Sequence, residues 1–559
     1  MRGLSFVRRV PLAASGALRR FGQDPARGRA ALERAVPGLG GTEPDDPAAL
    51  VDRAIARDRY ADACDALAMV PDSSAERASC ELAVDVLAGR LSQAARAHPH
   101  DARSRRAVRA ARRQLAVLAQ PIPGGPARER SGESDRAGFA GPPDESDRGG
   151  FAGPPDRTGR DAFGVLHVVT NSLPLTQAGS TIRTQRVARA QRDLGWDARV
   201  VTRLGYPVTH GDLRSPIPQI VDGVPYHRLL PLVMPADERL RAVYAAHLGQ
   251  LVEDLRPDVL HAASDHVNAA VALDVGRSLG IPVAYEARTF FEDTWLARHG
   301  GEQARDSDTY ALLRDRHTEA LLAADAVTTL GTGMRDAIVA RGVDPERVFI
   351  APNAVPMDFL APRDIVATRE RLGISDALWV GSVATINDDE GLDTLIDSVA
   401  LLRGEGLDVR VLIVGDGPGL ADLRRRAERS GVPLLAPGRV PVAEVRQWYD
   451  VLDVFALPRR DTAVNRTVTA LKPLEAQARG IPVVGSDLPA VAEVLAPGSL
   501  LVAPDDAAAL AEALRSLADP ATRGEAGERA RAWVEATRTW PSVMEAYRAA
   551  YSFLGALRG

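Results

Sequence analysis

The chain has 559 residues, more than one hydrophobic core accommodates, and we expect it to divide into two or three domains. Its hydrophobic content of 45% and charged content of 26% are ordinary for a soluble globular protein, and the formal net charge of −5 argues against a nucleic-acid-binding protein. The two cysteines, Cys64 and Cys80, argue against a disulfide framework and fit a reducing cytoplasm. No run of 18 apolar residues occurs, which argues against a transmembrane helix.

The first 34 residues are strongly basic. They carry eight arginines against Asp24 and Glu33, a local charge of +6, with a few apolar residues between them. Two interpretations stay open: a helix that lies on an anionic membrane surface, or a basic and partly disordered tail. A secretory signal fits poorly, because the segment lacks a long apolar stretch.

Residues 1–120 are expected to form a helical N-terminal region. Ala, Leu, Val and Arg dominate 45–120, and apolar residues recur there at helical spacing. The next segment, 121–160, contains two copies of a 12-residue unit that differ only at Ala137 and Gly149. Its density of glycine, proline and charge predicts a disordered linker.

From residue 161 onward, short apolar runs alternate with helical stretches. The runs lie at 165–169, 199–202, 258–261, 282–285, 326–329, 379–381, 409–414, 432–435, 454–457, 482–484 and 500–502. This alternation predicts an α/β fold with parallel sheets covered by helices on both faces. A break near 355–375 divides the runs into two series, so we expect two Rossmann-like domains, 161–360 and 361–540, facing a cleft in which ligands bind. A C-terminal helix within 541–559 is expected to pack back on the first of them.

A series of short motifs extends over residues 163–555. They occupy 179–184, 258–261, 285–293, 351–355, 380–382, 414–418, 438–440, 473–476 and 480–484. In this order they resemble glycosyltransferase family 4, whose members are retaining enzymes of the GT-B fold that use nucleotide-sugar donors. The resemblance implies that 161–360 is the acceptor domain and that 361–540 is the nucleotide-sugar domain.

On the acceptor side, the loop that begins at Gly179 and Ser180 joins a strand to a helix. In similar enzymes this loop lies near the donor phosphate and the acceptor. Glycine permits close backbone approach, the helix N-terminus offers free N–H groups, and Arg183 adds a charge-assisted contact; the alternative is a plain strand–helix turn. Family members often carry a histidine at the position of Ala263, so that role is vacant here or passes to His266, unless His266 is structural.

Glu286 and Arg288 follow a strand on the same acceptor side. In a family member, charges at this place are compatible with acceptor recognition. They are equally compatible with an ordinary ion-pair network. We include both residues in the predicted acceptor site.

Glu475 is the residue that the resemblance identifies most directly. In the family this glutamate binds the ribose hydroxyls of the donor, and a carboxylate can accept hydrogen bonds from both. Leu474 lies beside it in the same motif. The family's partner glutamate, which contacts the donor sugar, stands eight positions earlier, where this chain has Thr467. The donor sugar therefore stays open.

The phosphate-binding residues also depart from the family pattern. The family's arginine and lysine are replaced here by Ser382 and, approximately, Glu390. A leaving diphosphate needs compensating positive charge. We expect a cluster of other cations to supply it, with a solvated loop as the alternative for its arginines: Lys472, which is the single lysine of the chain, Arg459, Arg460 and Arg466.

Two further segments complete the predicted donor site. Gly415, Asp416 and Gly417 end a strand in a tight turn, which either lets the nucleotide come close or simply ends the strand. Arg439 and Val440 lie in a segment that resembles the one receiving the base in related enzymes. The sequence shows no metal-ligand constellation. The resemblance implies a nucleotide-diphosphate sugar as co-substrate and no further cofactor.

These features predict a retaining glycosyltransferase that moves a sugar from a nucleotide-diphosphate sugar to a cell-envelope glycan, glycolipid or related lipid-linked acceptor. Its catalytic residues would be Glu475, Lys472 and Thr467. The envelope acceptor and a place at the cytoplasmic face of the membrane follow from analogy with the family. Two alternatives remain. One is a non-hydrolysing nucleotide-sugar epimerase of the same fold. The other is a catalytically inactive glycan-binding or scaffold protein, suggested by the departures at Thr467, Ser382 and Ala263.

Overall fold

The computed structural model describes residues 47–125 and 162–557, apart from residues 57, 59, 72, 73, 75, 264 and 300. The predictions for the basic residues 1–34 and for the repeats at 133–156 lie outside the described residues. The chain forms two units. The first consists of the described residues up to Thr328 together with 341–348 and 550–557, and the second consists of Thr329–Ala340 and Phe349–Ala549.

Helices fill the first part of the described chain. They are α1 (Pro47–Ala56), α2 (Tyr60–Ala68), α3 (Arg77–Leu87), α4 (Leu91–Arg96) and α5 (Ala102–Leu118). Val51, Val84 and Leu87 contribute to a buried apolar cluster among α1, α2 and α3. Asp101 caps α5, because its carboxylate accepts a hydrogen bond from the Ser104 N–H over 2.7 Å.

The first sheet has eight strands in the order β3-β4-β2-β1-β5-β6-β7-β8. The strands are β1 (Gly164–Val169), β2 (Asp197–Thr202), β3 (Gln219–Val221), β4 (Val224–Arg228), β5 (Val259–Ala263), β6 (Val283–Ala287), β7 (Ala326–Thr329) and β8 (Val348–Ile350). The helices along this part of the chain are α6 (Gly179–Asp193), α7 (Asp237–Leu255), α8 (His266–Leu279), α9 (Phe291–Arg298), α10 (Asp308–Ala323) and α11 (Thr332–Val339). The pairs β4–β2, β2–β1, β1–β5 and β5–β6 are parallel.

The second sheet has six strands in the order β11-β10-β9-β12-β13-β14, and every pair in it is parallel. The strands are β9 (Leu378–Val383), β10 (Val409–Val414), β11 (Leu434–Gly438), β12 (Val454–Leu457), β13 (Val483–Ser486) and β14 (Leu500–Val502). The helices that follow α11 are α12 (Ile365–Leu372), α13 (Leu392–Gly404), α14 (Leu420–Ser430), α15 (Val445–Val451), α16 (Ala463–Thr467), α17 (Lys472–Ala478), α18 (Pro489–Ala492), α19 (Ala507–Ser516), α20 (Pro520–Thr537) and α21 (Trp540–Phe553). Short 3-10 helices lie at Val208–His210, Gly301–Ala304, Pro345–Arg347, Met357–Leu360, Asp388–Glu390 and Val442–Glu444.

Alternate residues of the second sheet pack into two separate apolar clusters. Phe455 and Leu457 of β12 belong to one cluster, and Val454 and Ala456 belong to the other. Because successive side chains of a strand point to opposite faces, this division shows that both faces of the sheet are covered. The predicted α/β fold with two parallel-sheet domains is therefore confirmed.

One pair of strands departs from the predicted alternation. β3 and β4 form an antiparallel hairpin at the edge of the first sheet, where the sequence pattern predicts no strand. The turn consists of Asp222 and Gly223, with φ of 45° and 78°. Asp-Gly favours such a turn because both positions need positive φ, so the signal was present in the sequence.

Candidate functional site

The predicted donor residues lie on the second unit, and Glu475 is fully buried there. Its residue is 0% exposed. The Tyr449 hydroxyl donates to Glu475 Oε2 over 2.7 Å, and the Lys472 ammonium donates to the same oxygen over 3.3 Å. Lys472 precedes Glu475 by one turn of α17, whereas Tyr449 comes from a different helix, α15. The carboxylate is thus held in one orientation by two donors.

Lys472 has a partner and also reaches solvent. Its side chain is 28% exposed, whereas that of Glu475 is 1% exposed. An ammonium group has three donors, and the bond to Glu475 uses one of them. The single lysine can therefore hold the buried carboxylate and still offer donors to a ligand.

The three arginines of the predicted phosphate cluster are all paired with carboxylates. Arg459 donates to Glu390 over 3.0 Å. Arg460 donates to Asp393 over 2.8 Å and to Asp505 over 2.5 Å. Arg466 pairs with Asp461 over 2.5 Å on the exposed surface. The positive charge of this loop is therefore largely offset within the protein, and the replacement of the family's clamp by this cluster stays a prediction.

The glycines of the turn after β10 are explained by packing. A Cβ atom on Gly415, whose φ is 144°, would overlap the carbonyl oxygen of Ala384. A Cβ atom on Gly417 would overlap the carbonyl oxygen of Ile386. This turn is also joined to the loop after β9 by a hydrogen bond from the Ile386 N–H to the Asp416 carbonyl over 3.1 Å. Of the two interpretations of this turn, the structural one accounts for both glycines.

Several other predicted donor residues face inward. Ser382 lies within β9 and is 1% exposed. The Leu474 side chain belongs to the apolar cluster that contains Phe455 and Leu457, so only its backbone can contact a ligand. The Thr467 hydroxyl donates to the Ala463 carbonyl over 2.9 Å, which leaves it only acceptor capacity toward a sugar. Arg439 and Val440 follow β11, where the arginine is exposed and Val440 packs against the apolar cluster.

In the first unit, three of the predicted acceptor residues, Arg183, Glu286 and Arg288, form a buried ionic cluster. Arg183 of α6 donates to Glu286 Oε1 over 2.8 Å, and Arg288 Nε donates to Oε2 over 2.6 Å. Arg288 also donates to the Ser180 carbonyl over 2.7 Å. Gly179 begins α6 and is exposed, with no atom within 4 Å of a Cβ built there. Four of these five residues are therefore linked to one another through direct hydrogen bonds.

The charge state of this cluster is fixed by its arginines. Arg183, Glu286 and Arg288 are between 1% and 6% exposed. Burial alone would raise the pKa of Glu286, but Arg288 and Arg183 outweigh it and hold the pKa well below its ordinary value. Two guanidinium groups surround one carboxylate, which is the ion-pair network that the sequence left as an alternative to acceptor recognition.

His266 lies apart from this cluster, at the first residue of α8. Asp265 caps that helix through a bond from the Val267 N–H over 2.9 Å and pairs with Arg203 over 3.2 Å. His266 Nδ1 lies 3.8 Å from Asp265 Oδ1. Burial lowers the pKa of His266, so the ring is neutral at neutral pH.

A buried polar chain that involves the C-terminal helix was not predicted from the sequence. Tyr551 of α21 shares a hydrogen bond of 2.6 Å with His261 and accepts one of 3.2 Å from Gln191. Gln191 bonds to His167 over 2.7 Å. Partners so far apart in the chain leave no spacing signal. Tyr449, the partner of Glu475, was missed for the same reason.

Two family models match the chain. One, described as "Glycosyl transferase 4-like domain", covers residues 178–354, and the other, "Glycosyl transferases group 1", covers residues 375–519. The lipopolysaccharide core biosynthesis mannosyltransferase LpsB of Rhizobium meliloti is 28% identical over 37% of this chain and 58% of that protein. The GDP-mannose-dependent monoacylated alpha-(1-6)-phosphatidylinositol monomannoside mannosyltransferase of Corynebacterium glutamicum is 32% identical over 33% of this chain and 50% of that protein. The chain thus spans about half the length of these curated relatives.

Solved structures resemble the fold. Sucrose-phosphate synthase from Thermosynechococcus elongatus has a TM-score of 0.56 at 20% identity, covering 70% of this chain and 99% of that chain. HepE of Anabaena, in complex with UDP and glucose, has a TM-score of 0.54 at 18% identity, covering 71% of this chain and 100% of that chain. The fold is that of a GT-B glycosyltransferase. Together with the family models, it shows that the chain belongs to the glycosyltransferases of the family 4 kind.

Within residues 47–125 and 162–557, no helix combines the length and the apolar character that crossing a membrane requires. The prediction from the sequence, which found no sufficiently long apolar run, concerned the whole chain.

Proposed function

We propose that the chain transfers a sugar from a nucleotide-diphosphate sugar to a cell-envelope glycan or glycolipid, with retention of the anomeric configuration. The observation that carries this proposal is the buried carboxylate of Glu475, held by Tyr449 and Lys472 in the motif that binds the donor ribose in this family. A buried carboxylate with fixed orientation is suited to accept hydrogen bonds from two neighbouring hydroxyls.

At the donor diphosphate, the proposal assigns Lys472 and Arg459 to the developing negative charge. Lys472 retains donors beyond its bond to Glu475, and Arg459 is anchored by Glu390 at 3.0 Å. Preorganised cations stabilise such charge more effectively than mobile ones, because they do not reorganise during the reaction. The proposed reaction uses the nucleotide sugar as co-substrate, takes place by attack on the same face as departure, and requires no covalent nucleophile, metal ion or other cofactor.

The acceptor class is supported by the names of the relatives. LpsB acts in lipopolysaccharide core biosynthesis, and the Corynebacterium relative acts on a phosphatidylinositol monomannoside. We extend this class, a glycan or glycolipid, to the present chain and place the acceptor near the cluster of Arg183, Glu286 and Arg288. The proposed location is the cytoplasmic face of the cell membrane, with residues 1–34 in contact with anionic lipid.

Ligand-dependent thermal unfolding of the full chain tests the donor site. UDP, GDP and ADP, each with a panel of their sugars, are added at rising concentration, and a nucleotide at 100 times its dissociation constant should stabilise the fold by about 2.7 kcal/mol. Glu475→Gln removes the charge but keeps the shape, and it should abolish the shift. The exposed substitution Arg425→Gln is the control. No shift with any nucleotide would overturn the proposal and favour a scaffold, and conversion of a donor sugar without an acceptor would identify an epimerase.

A further inference from the structure

The helix α5 has an unusual composition. It carries six arginines in 17 residues and contains neither aspartate nor glutamate. Over residues 88–125 the chain has eight arginines and a single carboxylate, that of Asp101. This carboxylate is engaged by the Ser104 N–H at 2.7 Å and by the Ser79 hydroxyl. The segment lies outside both regions that the family models match.

Two of the α5 arginines have partners elsewhere in the protein. Arg103 makes two hydrogen bonds of 3.0 Å to Asp52 of α1. Arg113 lies 3.9 Å from Asp237 of α7. These two arginines stabilise the packing of α5 on its neighbours.

Three other α5 arginines face solvent. Arg105, Arg109 and Arg112 are exposed, and within the described part of the chain none of them forms an ion pair. They stand at spacings of four and three residues, so they share one face of the helix over roughly 10 Å. Arg112 Nε donates to the Ala95 carbonyl over 3.0 Å, which brings the exposed Arg96 of α4 next to the same face. We call Arg96, Arg105, Arg109 and Arg112 the arginine face.

The positive charges of the arginine face do not stabilise the fold. Like charges three or four residues apart on a helix repel one another. Some exposed arginines on other helices of the chain pair with a carboxylate one turn away, as Arg189 does with Asp193 over 3.0 Å and Arg529 with Glu525 over 3.9 Å. In α5 no such carboxylate exists. The positive charge of the arginine face is therefore left for an external partner.

We propose that the arginine face docks the protein on an anionic lipid bilayer. This proposal rests on the proposed function, because a glycolipid or envelope acceptor is what brings the chain to a membrane. A flat row of guanidinium groups matches a surface of lipid phosphates, each of which accepts bidentate hydrogen bonds. Residues 88–125 contain no Phe, Trp or Tyr, so the face lacks the aromatic platforms that stack nucleic-acid bases.

Co-sedimentation with vesicles tests this proposal on the full chain. Equimolar phosphatidylcholine and phosphatidylglycerol vesicles are compared with phosphatidylcholine alone, at low and high salt. The variant Arg105→Gln/Arg109→Gln/Arg112→Gln removes three charges but keeps good helix formers. The variant Arg425→Gln/Arg429→Gln/Arg529→Gln removes three exposed charges elsewhere and is the matched control. Residues 1–34 are present in all proteins, so the difference reports on α5.

The wild type and the control should bind the anionic vesicles and lose binding at high salt. The α5 variant should bind about 100-fold more weakly, since each basic side chain near an anionic surface strengthens binding about fivefold. Equal binding by the α5 variant and the control, or no preference of the wild type for anionic vesicles, would overturn the proposal. Binding of a duplex or single-stranded oligonucleotide through the same three arginines, without binding of the vesicles, would also overturn the proposal.

A nucleotide titration separates this proposal from the proposed function. The three arginines are not part of the predicted donor site, so the α5 variant should keep the nucleotide-dependent thermal shift of the wild type. Loss of vesicle binding with a retained shift supports the arginine face. A wild type that binds anionic vesicles but no nucleotide would overturn the proposed function alone.

Discussion

The Arg459 guanidinium donates to Glu390 over 3.0 Å, and Glu390 stands approximately where the family resemblance expects a phosphate-binding lysine. The two side chains are 14% and 16% exposed, so the pair is partly shielded from water. A carboxylate at this position would repel a diphosphate if it stood alone. Paired with Arg459, it instead fixes the direction of a guanidinium that comes from the loop after β12.

We expect Arg459→Gln to lower kcat for sugar transfer by about 100-fold, because a preorganised charge at the leaving group is lost. Glu390→Gln keeps that charge but removes its anchor, and about a tenfold loss is expected. Steady-state kinetics with a saturating donor measure both, and Arg425→Gln is a control with the same charge change as Arg459→Gln. Wild-type kcat in both variants would remove Arg459 from the donor site.

The hydroxyl of Tyr449 makes a second prediction possible. Tyr449→Phe removes a side-chain donor to Glu475 Oε2 and leaves a buried carboxylate with less compensation. We expect a free energy of unfolding lower by about 1–3 kcal/mol and a weaker affinity for the nucleotide. Urea unfolding and nucleotide titration measure the two effects. The control is Tyr547→Phe on α21, which removes the hydroxyl of a different fully buried tyrosine. It shows how much stability is lost when any buried tyrosine hydroxyl is removed.

The fold was predictable because its physical signal is local. Short apolar runs separated by helices require parallel sheets covered on both faces, and the runs at 379–381 and 409–414 indeed lie in the adjacent strands β9 and β10. The hairpin of β3 and β4 was not predicted because its strands are short and lie at the sheet edge, although the pair Asp222-Gly223 indicates a turn.

The predicted site was recovered only in part. The motif around Glu475 was found from the resemblance, but Tyr449, which orients its carboxylate, comes from another helix. Likewise, the sequence predicts Arg183 and Glu286 as separate site residues, but their direct bond depends on how α6 packs beside β6. Contacts between residues distant in the chain depend on tertiary packing, which one sequence does not reveal.

The buried cluster of Glu286 with Arg183 and Arg288 should be costly to break. Glu286→Ala leaves two buried guanidinium groups without their carboxylate, and we expect a loss of about 3–5 kcal/mol in the free energy of unfolding. Asp422→Ala, which breaks the exposed pair with Arg425, should cost less than about 1 kcal/mol. Urea unfolding at pH 7 compares the two. Similar losses in both variants would contradict the buried network.

The pKa of Glu286 also gives this cluster a pH dependence. Since the pKa of the carboxyl is lower in the folded chain than in the unfolded chain, its stabilising effect is complete above the unfolded value near 4.5 and is lost as the pH falls below it. A double variant that lacks Glu286 and Arg183 should therefore lose less stability between pH 5 and pH 3 than the wild type. An unchanged dependence would show that Glu286 titrates normally.

Two buried histidines make the free energy of unfolding depend on pH in a range above the one in which Glu286 titrates. Burial lowers the pKa of His167 to about 4 and that of His261 to about 3, from an ordinary value of 6.5. Between these values the unfolded chain binds protons that the folded chain does not, so the free energy of unfolding decreases as the pH falls from 6.5 toward 4. At pH 5 each histidine accounts for about 2 kcal/mol of this decrease. Urea unfolding at pH 7 and pH 5 should show that His167→Gln, compared with the exposed control His98→Gln, reduces the difference by that amount. A difference that is the same in both variants would mean that His167 is already protonated in the fold, which its complete burial argues against.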